Sequence, residues 1–137
     1  MGRVLAIDLG TKRTGLAVTD PLQLVANPLE TIPTHTLLTF LKAYCGREEV
    51  ETLVLGYPKS MDGTDTNMTK QVLTMQKKLA NIFADKKVVL VDERFTSKMA
   101  MQSMIAMGSK KKDRREKAGN LDKISATIIL QTYLDRK

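Results

Sequence analysis

The run Arg3-Val4-Leu5-Ala6-Ile7-Asp8-Leu9, continued by Gly10-Thr11-Lys12-Arg13-Thr14-Gly15-Leu16-Ala17, decides the fold. From Arg3 to Leu9 the side chains alternate between two faces, so Val4, Ala6 and Asp8 share one and Leu5, Ile7 and Leu9 the other. Asp8 therefore stands at the last rung of a strand. Gly10 and Gly15 ease a tight connection, and Gly15 to Thr19 is expected to fold back beside the first run as a hairpin. A carboxylate at a strand end, followed by a turn rich in glycine and threonine, is placed to hold a metal ion or to meet a phosphate.

Composition narrows the chemistry. At 137 residues the chain reads as one domain, 1–137, large enough for a real core but too short for two ordinary lobes. Lys and Arg number 22 against 15 Asp and Glu, and the formal charge of +7 suits an anionic partner. Aromatic residues make up only 4% and Trp is absent, so contacts to a phosphate backbone are favoured over a base-stacking platform. Cys45 stands alone and cannot form an internal disulfide, and one His with no Cys/His spacing offers no zinc site. A reducing cytoplasm is the expected compartment. Arg3 and Asp8 break any signal-peptide pattern, and the apolar stretch Ile124 to Leu130 is far too short to span a bilayer, so no membrane association is expected.

Beyond the hairpin, Leu22 to Ile32, punctuated by Pro21, Pro28 and Pro33, reads as a third strand at a sheet edge, since Pro cannot donate to a central ladder. Thr34 or Thr36 is expected to cap a helix ending near Cys45, with Gly46 as its stop. Leu53-Val54-Leu55 lies in a buried strand from Glu51 to Tyr57, and Pro58 ends it. Residues 59–65 read as a loop. Val72, Met75, Leu79, Ile82 and Phe83 recur at helical spacing within a helix from Asn67 to Ala84. Val88 to Val91 forms another buried strand that ends in Asp92-Glu93-Arg94. Thr96 or Ser97 would cap a helix reaching Met107, Lys110 to Lys117 is a basic linker, and a last helix runs from about Leu121 to Leu134. Strands separated by helices pair in parallel through right-handed crossovers, so this order predicts an α/β domain of the ribonuclease H type, a mixed five-stranded sheet flanked by helices.

Three acids fall at element ends: Asp8, then Asp92 or Glu93, then Asp122 in the first turn of the final helix. Strand alternation sends Asp92 and Glu93 to opposite sides, so only one of them faces the site. Asp122 shares a helix face with Ser125, Ala126 and Ile129; capping or dipole compensation is its ordinary role in a first turn, but on a packed face an acid needs a partner or a metal. Clustered carboxylates repel unless a divalent cation joins them, and Mg²⁺ takes oxygen ligands while keeping substrate phosphates in its shell. Metal-assisted phosphodiester hydrolysis needs no nucleophilic Ser or Cys and no catalytic His, which agrees with His35 lying in a solvated or capping position. Arg94, with Thr96 beside it, is suited to a phosphate, its planar fork matching two oxygens. Lys110, Lys111, Lys112, Arg114 and Arg115 would form a phosphate clamp beside Asp122, though a charge run is more often simply solvated. The Met-rich face of Met99, Met101, Met104 and Met107 reads as core or partner packing.

Four ordered blocks carry a resemblance: Asp8-x-Gly10-x-x-Arg13-x-Gly15-x-Ala17 with Asp20, Gly56-Tyr57-Pro58 with Met61-Asp62-Gly63-Thr64, Asp92-Glu93-Arg94-x-Thr96, and Asp122-x-x-Ser125-Ala126 leading into Ile128-Ile129-Leu130-Gln131. Over nearly its whole length the chain resembles the YqgF/RuvX family, bacterial ribonuclease H-like proteins regarded as Holliday-junction-resolvase-like and as pre-16S rRNA nucleases. The resemblance implies an acidic metal-binding triad of Asp8, Glu93 and Asp122 using Mg²⁺ or Mn²⁺, with Arg13, Arg94 and the Met61-Asp62-Gly63 loop near the substrate. Tyr57, Thr19 and Ser125 depart from the common Leu, Ser and Ala. The implied activity is a metal-dependent endonuclease that trims precursor rRNA at its 5′ side, as monomer or homodimer. The alternatives are a resolvase of branched DNA, which would act as a dimer, and a non-catalytic RNA-binding assembly factor. Asp8-Leu9-Gly10-Thr11 is also similar to the first phosphate loop of the actin and sugar-kinase superfamily, but those enzymes clamp ATP between two lobes and 137 residues leave no second one.

Overall fold

A computed structural model of the chain describes residues 2–57, 68–92 and 114–136, the last stretch with side chains from Ile124 onward. Five strands, β1 (Arg3–Leu9), β2 (Arg13–Thr19), β3 (Ala26–Pro33), β4 (Val50–Tyr57) and β5 (Lys87–Asp92), form one sheet in the order β3-β2-β1-β4-β5. β1, β4 and β5 are parallel, while β2 runs antiparallel to both β1 and β3. Three helices are described: α1 (Leu37–Arg47), α2 (Thr69–Ile82) and α3 (Arg114–Asp135). This is the mixed, helix-flanked five-stranded sheet that the sequence predicts.

The alternation in β1 divides the interior in two. Leu5, Ile7 and Leu9 join Leu16, Leu53, Leu55, Leu37, Leu41, Val72 and Leu79 in the cluster beneath α1 and α2. Val4 and Ala6 join Ala17, Val54 and Val91 against Ala126, Ile129 and Leu130 of α3. The second set is built of smaller residues, so α3 lies close to the sheet, crossing β1, β2 and β3.

β3 is an edge strand, as its prolines require, but it begins at Ala26 and not at Leu22. The reason is Asp20. Its Oδ1 accepts the amides of Val25 at 2.8 Å and Leu24 at 2.9 Å, and its Oδ2 accepts that of Leu22 at 3.1 Å, which withholds those donors from the sheet ladder. Gln23 sits at φ 58 and anchors the loop by donating from Nε2 to the Gly2 carbonyl at 2.8 Å. Between Leu16 and Ala17 the pairing skips one β3 residue: Leu16 faces Glu30 and Ala17 faces Pro28, so Leu29 is the extra residue of a bulge next to the proline that has no N–H.

Two helix boundaries differ from the sequence expectation. α1 continues through Gly46 to Arg47, with the Glu48 amide donating to the Tyr44 carbonyl. Gly46 is exposed with open space around its missing Cβ, so nothing forces a stop there. The Phe40 and Tyr44 rings stack at 6.0 Å and Arg47 covers Tyr44 at 5.1 Å, contacts that favour the extra turn. Thr36 precedes α1 without a side-chain cap; its hydroxyl donates to the Pro33 carbonyl instead. α3 begins at Arg114, seven residues before the expected Leu121, so Arg114 to Lys117 belong to a helix and not to a linker. Asp122 accordingly lies in the third turn of α3, beyond the reach of the N-terminal dipole. The expected helix from Thr96 to Met107, the loop at 59–65 and the cations at 110–112 lie outside the described residues.

Two measurements check this account. Leu53, fully buried in the central β4, should cost about 2–5 kcal/mol on replacement by Ala, whereas exposed Leu24→Ser should stay within about 0.5 kcal/mol, both read by urea denaturation. The backbone amides around Asp20, Val25 foremost and against a smaller opposing desolvation, hold its pKa below the ordinary carboxylate value. Its contribution is therefore fully present above the unfolded-chain pKa, about 3.9, and is lost as pH falls through the lower folded value. The melting-temperature gap between wild type and Asp20→Ala should be constant from pH 7 to 5 and shrink toward pH 2.

Candidate active site

The parallel strands β1, β4 and β5 end together, so Leu9, Tyr57 and Asp92 mark one edge of the sheet. Asp8 sits one rung inside that edge, half-buried, on the face that α3 covers. Its partner across the antiparallel β1–β2 pair is Gly15. On the other side Ile7 is level with Leu55, which brings the next β4 residue, Gly56, beside Asp8, and Gly56 is in turn level with Val91. Neither neighbouring strand therefore places a side chain directly level with this carboxylate. Carboxylate oxygens flanked by two glycines at a strand end suit a hard cation. The pairing of Gly15 and Gly56 with Asp8 was not read from the sequence, although a glycine inside each strand pattern signals such a close approach.

Asp92 belongs to a different place. Val91 packs with Val4 and Ala6 on the α3 face, so Asp92, the next residue of β5, falls on the opposite face from Asp8 and is exposed. Asp92 and Asp8 therefore do not share a face of the sheet. Asp122 precedes Ser125 and Ala126 by three and four residues in α3, and those two are buried against the sheet. Its side chain, those of Arg114 and Arg115, and all of Glu93, Arg94, Thr96, Lys110, Lys111 and Lys112 lie outside the described residues. Among the described residues no three His, Cys, Asp or Glu gather as a metal-binding group.

The turn after Asp8 is held from outside the hairpin. The Thr34 hydroxyl donates to the Gly10 carbonyl at 2.7 Å, so the Thr14 hydroxyl, 2.9 Å away, donates to Thr34 in turn. The Thr34 amide donates to the Lys12 carbonyl at 2.9 Å. A Cβ on Gly10 would run into the carbonyl oxygen of Arg13, which is why this position admits no side chain. Lys12 and Arg13 are exposed at this turn, which puts Arg13 at the same edge as Asp8. His35 is exposed in the short 3-10 turn Thr34–Thr36, in keeping with a solvated role. Burial pushes the Cys45 thiol of α1 upward, the opposite of what an activated nucleophile needs. No helix among the described residues is long and apolar enough to cross a membrane.

Comparison with known proteins gives a match of residues 2–136 to the family profile described as "RuvX: Holliday junction resolvase". A protein of Flavobacterium johnsoniae is 52% identical over 137 residues, covering 100% of this chain and 99% of that one. Proteins of Bacteroides thetaiotaomicron and Porphyromonas gingivalis are each 50% identical, over 100% and 98% of this chain and 99% and 97% of theirs. All three carry the name "Putative pre-16S rRNA nuclease". Among solved structures, YeaZ from Pseudomonas aeruginosa aligns with 80% of this chain and 50% of its own length, at 17% identity and a TM-score of 0.48.

The turn chemistry makes a prediction that needs no substrate. Thr34→Val leaves the Gly10 carbonyl and the Thr14 hydroxyl without their shared partner and should cost about 1–3 kcal/mol by denaturant unfolding. Thr34→Ser should keep most of that stability.

Proposed function

The chain belongs to the RuvX family, and on that premise we propose that it is a metal-dependent endonuclease processing the 5′ end of pre-16S rRNA in ribosome biogenesis. The observation that carries the reading is Asp8: a half-buried carboxylate at the common end of the parallel strands, between Gly15 and Gly56 and on the α3 face. Asp8, Glu93 and Asp122 would hold Mg²⁺ or Mn²⁺. Two features support that set. Asp92 faces away from Asp8, so it does not compete with Glu93 for that place, and Asp122 precedes the buried Ser125 and Ala126 of α3 by three and four residues. A divalent cation bound there supplies Lewis acidity to a phosphoryl oxygen and offsets charge developing in the transition state.

The chain's own groups bind and orient the RNA. Arg13, on the turn next to Asp8, and Arg94 are suited to phosphates by their planar forks, with the Thr96 hydroxyl as a further donor. Lys110, Lys111, Lys112, Arg114 and Arg115 would add a cationic approach leading into α3. Gly10 keeps the turn tight and Thr34 ties it down, so Arg13 is offered from a fixed backbone. The reading uses one nuclease domain, 1–137, working in the cytoplasm as a monomer or homodimer.

The test compares wild type with Asp8→Asn, a nearly isosteric change, on a pre-16S 5′ leader and on a four-way DNA junction, with Mg²⁺ and with Mn²⁺. Wild type should cut the leader, leaving 5′-phosphate and 3′-hydroxyl ends. Asp8→Asn should lose more than about 100-fold in rate, the upper end of what losing an outer-shell metal contact costs, while keeping most of its RNA affinity. Undiminished cleavage by the variant would sink the metal-site reading. Preference for the junction, with a dimer in solution, would give the activity to branched DNA.

A further inference from the structure

On the other face of the same sheet edge, between the end of β1 and α2, lies a cavity of about 340 Å³. Leu9 and Met75 give it an apolar floor, and Lys70, Gln71, Thr74 and Lys78 line it. Lys70, Thr74 and Lys78 recur every four residues along α2 and so share one stripe, with the two lysines about 12 Å apart along the axis at about 1.5 Å per residue. α2 contains no Asp or Glu to neutralise them. Neither lysine forms an ion pair with a described residue. Thr34 also lines the cavity, but its hydroxyl is committed to Gly10, and that of Thr74 to the Lys70 carbonyl. The groups left to meet a ligand are two ammoniums, the Gln71 amide and a small aliphatic floor.

That combination asks for a ligand that is anionic at intervals and flat and partly apolar in between. The geometry points to a binding groove for unpaired nucleotides of the RNA, flanking the cleavage point, with phosphates on Lys70 and Lys78 and a base over Leu9 and Met75. This rests on the nuclease reading of the Asp8 edge. The size agrees: about 12 Å is three to four nucleotides of a stacked strand at about 3.4 Å each. The two sites meet at the sheet edge: Leu9 follows Asp8 in β1 but faces the other side, so a strand bound near Asp8 would turn over the edge to enter the groove. A paired duplex presents its phosphates on a convex surface and its bases inside, and such a cavity favours a single strand over it. With few aromatics in the chain, an aliphatic floor between cations is the means at hand.

The test measures binding apart from cleavage. Fluorescence anisotropy with a labelled single-stranded RNA of about 12 nucleotides, in EDTA, compares the wild-type chain, Lys70→Gln/Lys78→Gln and a charge-matched control, Lys42→Gln/Lys87→Gln. Lys42 and Lys87 are exposed, in α1 and at the start of β5 respectively. The groove variant should bind about tenfold more weakly and flatten the log–log salt slope by about 1.4, or about 0.7 per lost phosphate contact. The control should bind within about twofold of wild type, and 4-thiouridine in the RNA should crosslink to the peptide containing residues 69–78. Equal losses in both variants, no loss in the groove variant, no binding by wild type, or equal competition by a duplex of the same length would overturn the groove. Cleavage of the pre-16S leader with Mg²⁺ is read separately. If groove-dependent binding persists while wild type does not cut, the nuclease reading fails and the groove stands; if wild type cuts and binding ignores the groove lysines, only the groove falls.

Discussion

The placement of Asp8 and of its neighbours across the sheet depends on the register of β1. Both faces of this central strand are covered, and Val4, Leu5, Ala6 and Ile7 are all fully buried. A one-residue slip would exchange the two faces, moving Leu5 and Ile7 into the shallow space beneath α3 and carrying Asp8 into the leucine-rich cluster under α1 and α2. Taking an ionised carboxylate into that cluster costs several kcal/mol. The hydrophobic pattern that folds the sheet therefore also fixes where the acid stands. Hydrogen bonding to β2 and β4 on either side extends the constraint across the sheet, putting Gly15, Asp8, Gly56 and Val91 in one row.

What could be read from the sequence follows from how local each signal is. Period-two alternation revealed β1 and the division of its faces, because that pattern is written in seven adjacent residues. The prolines marked β3 as an edge strand because a missing N–H is a property of the residue itself. The start of β3 was less legible: Leu22, Leu24 and Val25 look like strand residues, and only the three amide bonds to Asp20 show why they are not. Gly46 looked like a helix stop, yet an exposed glycine with open space around it does not end a helix whose aromatic and cationic side chains stack across the next turn. The early start of α3 is not legible in the sequence because Lys and Arg are good helix formers that also mark solvated linkers, and composition alone does not separate the two uses.

The candidate site divides in the same way. Asp8 and the nearby Arg13 were visible in the sequence because a strand end and a glycine turn are local features. That Asp92 faces away from Asp8 was not, since it depends on which face of β5 meets α3, a relation that exists only once Val91 is packed with Val4 and Ala6. The α2 cavity was hidden for a further reason. Lys70 and Lys78 read as the ordinary polar side of an amphipathic helix, and what sets them apart is their position beside Leu9 at the edge that Asp8 occupies.

Net charge alone does not explain binding at such an edge. At physiological salt a charge is screened over about 8 Å, so cations spread over the molecule raise encounter rates without holding one phosphate next to Asp8. A carboxylate itself opposes that phosphate, by about 1 kcal/mol at 4 Å in water and about 4 kcal/mol where the effective dielectric is near 20. Affinity must then come from cations within about one screening length of the acid. Lys12 and Arg13 on the turn after β1, and Lys70 in the first turn of α2, are carried by elements that begin where the parallel strands end. The carboxylate lies on the α3 face and the groove lysines on the α2 face, with the sheet edge between them. On the proposed reading, that separation would let one strand of nucleic acid be held by cations on one side and offered to the acid on the other.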